Sequence, residues 1–232
     1  MEATQPIVID ENRQAVVGEL MRNVYIWMTA GLAITGIVAW LVSGSPAALS
    51  LIFGNQVIFW GMLIAELVLV LVLSASIQKL SFFAAECLFT IYCALNGATF
   101  SSIFLLYELG SISEIFFVCA GSFAVLAIIG TFIHKDLSGL GTFLIIALAG
   151  LIIASIVGLI LGKPDSIWMS IIGVVIFAGL TVYDAQKIRL LMLNEETVND
   201  GNMKLALLGA LSLYLDFINL FLQLLRLFGK RR

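Results

Sequence analysis

Four acidic side chains of this sequence lie within apolar runs: Glu66, Glu86, Asp184 and Asp216. A charged side chain at the centre of a bilayer costs at least about 2.5–3.5 kcal/mol, so such groups usually face a protein interior and mark ion paths or proton relays. Asp216 has company. Ser212, Asp216, Asn219, Gln223 and Arg226 recur at spacings of four and three, which places them on one face of a helix. The residues between them are mostly Leu, Phe and Ile. A helix with one polar stripe belongs at a bundle centre or beside a water-filled path. The plainer reading is a hydrogen-bonded seam that glues helices together, although Ser, Asn and Gln would make that seam without a carboxylate.

Asp184 can meet Asp216. At about 1.5 Å per residue, Asp184 stands roughly 10 Å above the inner end of its helix and Asp216 roughly 15–18 Å above the inner start of the next. Two carboxyl groups that close cannot both ionise cheaply, so the pair shares a proton and forms a pH sensor. The same oxygens make a hard site that attracts a divalent cation. Glu66 either supplies a third oxygen or belongs to a separate relay, and a protonated core residue is the bland alternative. Glu86 sits about one turn inside its run and can reach the interface. The only histidine, His134, lies in a polar turn beside Lys135 and Asp136 and reads as a solvated loop residue.

The elements that must carry these groups are transmembrane helices. Of the 232 residues, 61% are hydrophobic and 12% charged, against about 25% charged in a soluble domain. Apolar windows fall at 23–43, 57–76, 82–107, 113–133, 140–162, 167–190 and 204–228, each near the length that spans a bilayer. The expected fold is therefore all-α, a polytopic seven-helix bundle. Its parts are a polar N-terminal segment (1–22), the transmembrane domain (23–229) and a basic tail (230–232). Short connections, among them Lys163-Pro164-Asp165, make neighbouring helices antiparallel. Gly31 and Gly36, and Gly141, Gly150 and Gly158, would let backbones approach closely.

Charge sets the expected orientation. With a cytoplasmic N-terminus the inner side holds Arg13, Arg22, Lys79, Lys135, Lys187, Arg189 and Lys204, and the outer loops hold only Lys163, as the positive-inside rule requires. The tail Lys230-Arg231-Arg232 then ends outside, against that rule, unless the last segment dips in and returns. A full seventh span is the expected form. Glu2, Asp10, Glu11, Arg13 and Glu19 make the leader too polar for an export signal, so the first span is expected to serve as an uncleaved one. Cys87, Cys93 and Cys119 all lie in apolar runs and read as buried thiols rather than a disulfide framework. The small net charge of −3 suggests no nucleic-acid partner.

Ser212 to Gly229, SLYLDFINLFLQLLRLFG, closely resembles the signature of the Bax inhibitor-1 family, the transmembrane Bax inhibitor motif proteins, which have bacterial members. Gly179 to Arg189, GLTVYDAQKIR, is similar to that family's sixth-helix segment, and Glu66 and Asn96-Gly97 also fit. The resemblance covers nearly the whole chain. It implies a seventh helix wrapped by the other six, and a pH-sensitive calcium leak controlled by an aspartyl pair at Asp184 and Asp216. Calcium would be the permeant ion, with no cofactor, and a bacterial inner membrane is the expected site. Some relatives carry an arginine late in helix two that latches onto the helix-six aspartate. Here that stretch is Ser74-Ala75-Ser76-Ile77-Gln78-Lys79, and a lysine cannot reproduce the bidentate pairing.

Other classes fit less well. An intramembrane aspartyl protease pairs Tyr-Asp with Gly-x-Gly-Asp. Tyr183-Asp184 matches the first half, but Asp216 follows Tyr214-Leu215 without the glycines. A zinc hydrolase needs several histidines, and a rhodopsin-like receptor needs a mid-helix lysine. A proton-coupled secondary transporter would need a midplane site on a broken helix, and no span is expected to be interrupted. A non-transport membrane regulator or scaffold remains the further class. The chain is expected not to be an enzyme.

Overall fold

The computed structural model describes residues 11–162 and 166–232. Backbone amides cannot be left unpaired in hydrocarbon, and the apolar runs accordingly form helices: α1 (Glu11–Ser43), α2 (Pro46–Phe53), α3 (Gln56–Ser76), α4 (Phe82–Phe100), α5 (Ile103–Leu106), α6 (Leu109–Phe132), α7 (Ser138–Ile160), α8 (Ile167–Met192) and α9 (Asp200–Phe228). Seven stretches are long and apolar enough to cross a membrane, α4 and α5 together forming one of them. The all-α, polytopic expectation holds. Side-chain caps set several starts. Asn55 Oδ1 accepts from the Val57 amide at 2.9 Å, Ser81 Oγ from Ala84 at 3.2 Å, and Asn199 Oδ1 from Asn202 at 3.1 Å.

Two details differ from the sequence reading. The polar segment is helical from Glu11 onward and continuous with the first span. At 33 residues, α1 would be about 50 Å long, well beyond the ~30 Å hydrocarbon core, so its polar first turns need not be buried in lipid. Residues 1–10 of that segment, and the Lys163-Pro164-Asp165 connection, lie outside the described residues. The third span is interrupted, contrary to expectation, at Ser101–Ser102. There Ser101 Oγ donates to the Ala98 carbonyl at 2.7 Å and Ser102 Oγ to Thr99 at 3.2 Å. These bonds offer the backbone a local alternative to the helix ladder. The break falls about 28 Å along the span, at one end of it and away from the midplane.

The last span is a single 29-residue helix that does not turn back. The start of α1 and the end of α9 therefore lie on opposite faces of the bundle. The basic tail folds onto the α5–α6 connection. Glu108 N donates to Lys230 O at 2.9 Å and Arg232 N to Leu106 O at 3.0 Å, while Lys230 N donates to Ser111 Oγ at 3.0 Å.

Helix α9 occupies the centre. Ala206, Ala210, Leu213 and Tyr214 are fully buried, and Leu207, Leu211, Phe217, Leu220 and Leu225 nearly so. It packs most extensively on α8, then on α1, α6 and α4, while α7 packs on α8 and α3 on α4. At its first turns Lys204 Nζ reaches the carbonyls of Gln78 (3.3 Å) and Leu80 (3.1 Å) after α3. Of the expected small-residue contacts, Gly31 lies against Phe89 and Cys93, and Gly141 against the Tyr183 ring. Gly36 and Gly150 have nothing within 4 Å of where a Cβ would stand. The closest backbone approach was not anticipated: a Cβ on Gly130 of α6 would collide with the Val182 carbonyl of α8.

Candidate functional site

The site is built where α8 and α9 run antiparallel. Gly209 of α9 meets Ile188, and further along Gly173 of α8 meets the Gln223 side chain. Asp184 and Asp216 lie between those two levels, and the charge that bears on Asp216 is that of Asp184. Asp216 is 5% exposed. Its Oδ2 is buried without a hydrogen-bond partner, as is Gln223 Oε1 seven residues further along the same stripe. Buried polar atoms are normally paired, so two orphans on one face mark a place that a proton, a water or a cation can complete.

The rest of the stripe is graded. Ser212 is half-buried, Asn219 Nδ2 donates to its own helix at Leu215 O, 2.8 Å, and Arg226 is exposed near the end of α9. Gln223 fits because Gly173 has no side chain; a Cβ there would lie 2.7 Å from Gln223 Cδ. The cation that acts on Asp184 is Lys187, one turn away, whose ammonium also sits 5.8 Å from the Tyr183 ring centroid. Lys79 is exposed in the turn after α3.

Glu66 belongs to a different place. Thr99 Oγ1 donates to its Oε1 at 2.5 Å and Asn96 Nδ2 to its Oε2 at 3.4 Å, across the α3–α4 contact. Glu86 is half-buried in the second turn of α4. Among the described residues no three His, Cys, Asp or Glu side chains converge in a way that could hold a metal ion. The two carboxyl groups of Asp184 and Asp216 could offer at most four of the six to eight oxygens that a calcium ion takes, which would suit a passing ion better than a resident one. Cys87, Cys93 and Cys119 are free thiols.

Sequence reasoning missed the opposite face of α9. Thr35 Oγ1 donates to Cys93 O at 2.9 Å and lies 2.7 Å from Tyr214 Oη, so the tyrosine hydroxyl donates to the threonine. The Tyr214 ring is edge-on to Phe89 and Tyr92, with centroids at 6.1 and 5.7 Å. This knot ties α1, α4 and α9 together. The signal was available: a mid-span tyrosine needs a partner for its hydroxyl.

Fold and site together define an integral membrane protein with a central helix that carries a buried, incompletely paired carboxylate. Residues 17–232 match the family described as "Inhibitor of apoptosis-promoting Bax1". The chain is 48% identical over 214 residues to "Inner membrane protein YbhL" of Escherichia coli K12, covering 91% of this chain and 92% of the relative. It is 40% identical to an uncharacterized protein of Borreliella burgdorferi, covering 92% and 93%. An uncharacterized membrane protein of Streptococcus pyogenes is 36% identical, covering 91% and 93%. The chain belongs to this family of Bax inhibitor-1 membrane proteins.

Proposed function

We propose that this protein is a passive calcium leak of a bacterial inner membrane, gated by protonation of the Asp184–Asp216 pair. The reading rests above all on one observation: the most enclosed span holds a buried carboxylate with an unpartnered oxygen, and a second carboxylate on the adjoining helix acts on it. With one shared proton the pair is a charge-assisted hydrogen bond that clamps α8 to α9. Without it two negative charges repel, or are bridged by a cation entering the path. A second proton removes the charge and loosens the clamp, so permeability follows pH. The N-terminus is cytoplasmic in this proposal, since six of the basic residues on its face, Arg13, Lys79, Lys135, Lys187, Arg189 and Lys204, lie at or near helix ends. No catalytic step is assigned.

The test is ion entry into proteoliposomes that contain only this protein, comparing calcium, sodium and potassium from pH 5 to 8. Downhill, pH-dependent calcium entry above empty vesicles is expected. Calcium entry no greater than in empty vesicles at every pH removes the reading, and obligatory counter-movement of protons would make the protein a secondary transporter instead.

A further inference from the structure

Helices α1 and α6 leave a long cleft between them. Among the described residues one side-chain hydrogen bond joins the two, near the middle of α1 and the end of α6, where Tyr25 Oη lies 3.2 Å from Thr131 Oγ1. Beyond that contact a cleft of about 840 Å³ extends along the spans, lined by apolar side chains including Phe123 and Ala124. This is near the upper end of the ~300–1,000 Å³ typical of small-molecule sites. On the other side of the contact a second pocket of about 340 Å³ shares Thr131 and is lined by Gln14 and Arg189. Arg189 is half-buried and, among the described residues, makes no side-chain ion pair or hydrogen bond. The two pockets share Thr131, and together they make a groove with a guanidinium that has no partner among the described residues at one end, hydroxyls at the neck and hydrocarbon walls beyond.

We infer that this groove is a binding site for an anionic phospholipid, its phosphate held by Arg189 and Gln14 and one acyl chain lying between α1 and α6. The division of the groove carries the assignment. Its apolar part belongs to a membrane span, where water has no polar partners to hold it and acyl chains are the surrounding solvent. Its charged part lies at the end of α8, where a headgroup would sit. Guanidinium geometry matches phosphate oxygens. A helix from another protein would fill the apolar part but leave Arg189 unanswered. The inference is independent of which ion the protein conducts.

Native mass spectrometry of the purified full chain, titrated with phosphatidylglycerol or phosphatidylcholine, tests it. Wild type should bind phosphatidylglycerol about fivefold more tightly, the effect of one basic side chain at an anionic lipid surface. Arg189→Gln should abolish that preference, whereas Arg22→Gln, which alters an exposed arginine 3.9 Å from Glu19, should keep it. Ala124→Trp should weaken both lipids alike, and Ala124→Leu should do so to a lesser degree if the larger side chain prevents folding. Excess inorganic phosphate should not displace the lipid. The inference is overturned if Arg189→Gln retains the preference. It is equally overturned if a folded Ala124 variant binds both lipids like wild type, or if filling the cleft changes the oligomeric state and leaves lipid binding intact.

Discussion

Asp216 and Glu66 are both mid-span carboxylates, but they sit on helices in opposite surroundings. In an apolar 18-residue window of each span, 67% of the α9 residues are buried within the bundle and 6% of the α3 residues. Glu66, on the peripheral helix, has a donor for each oxygen, Thr99 and Asn96. Asp216, on the central one, has a bare Oδ2 and another acid for a neighbour. A fully paired carboxylate is an interhelical bond. An unpaired one beside a like charge has more than one way to be completed, and can therefore switch.

The strongest way to break this contrast is to exchange the roles. Asp184→Asn and Asp216→Asn should each abolish the pH dependence of calcium entry into proteoliposomes. The double variant should add less than about a further twofold change, because groups that act as a unit are not additive. A single variant that keeps the wild-type pH profile would falsify the sensor and make Glu66 the leading alternative.

Glu66→Leu should instead act on stability. It leaves Thr99 and Asn96 without their acceptor, at a cost of about 1–3 kcal/mol, visible as earlier thermal loss of helical circular dichroism in detergent. Its pH profile should stay that of wild type, and Glu66→Gln should recover most of the stability. Tyr214→Phe probes the other face of α9. Losing the hydroxyl that meets Thr35 should cost about 1 kcal/mol in the same melt without altering ion flux.

The smallest effect is expected at Asp136, in the connection before α7. Its Oδ1 accepts from Ser138 Oγ at 2.6 Å and from the Ser138 amide at 2.8 Å, and these bonds hold its carboxyl below the usual carboxylate range. A depressed value means that the stabilisation is complete above the ordinary carboxylate value of about 3.9 and is lost only as pH falls through the lower folded one. Asp136→Asn should therefore leave the flux profile unchanged between pH 5 and 8. A changed profile there would show that a surface carboxylate, not the buried pair, sets the response.

Much of this was legible in the residues. Hydropathy located seven spans, all but the start of the first to within a few residues, because a bilayer demands about twenty apolar positions and permits little else. The three-and-four spacing of Ser212, Asp216, Asn219 and Gln223 marked one face of α9 because helical geometry is local. Other features were beyond one-dimensional reading. That Asp216 would be left with a bare oxygen while Glu66 was fully paired depends on which helix lies opposite, and at what level. That register comes from contacts between distant residues, such as Gly130 against Val182 and Gly173 against Gln223. The groove between α1 and α6 depends on two helices failing to meet along most of their length, which neither apolar sequence records. Composition and periodicity determined which faces must be buried. Only packing decided which buried polar atoms found partners, because pairing is a property of two surfaces brought together.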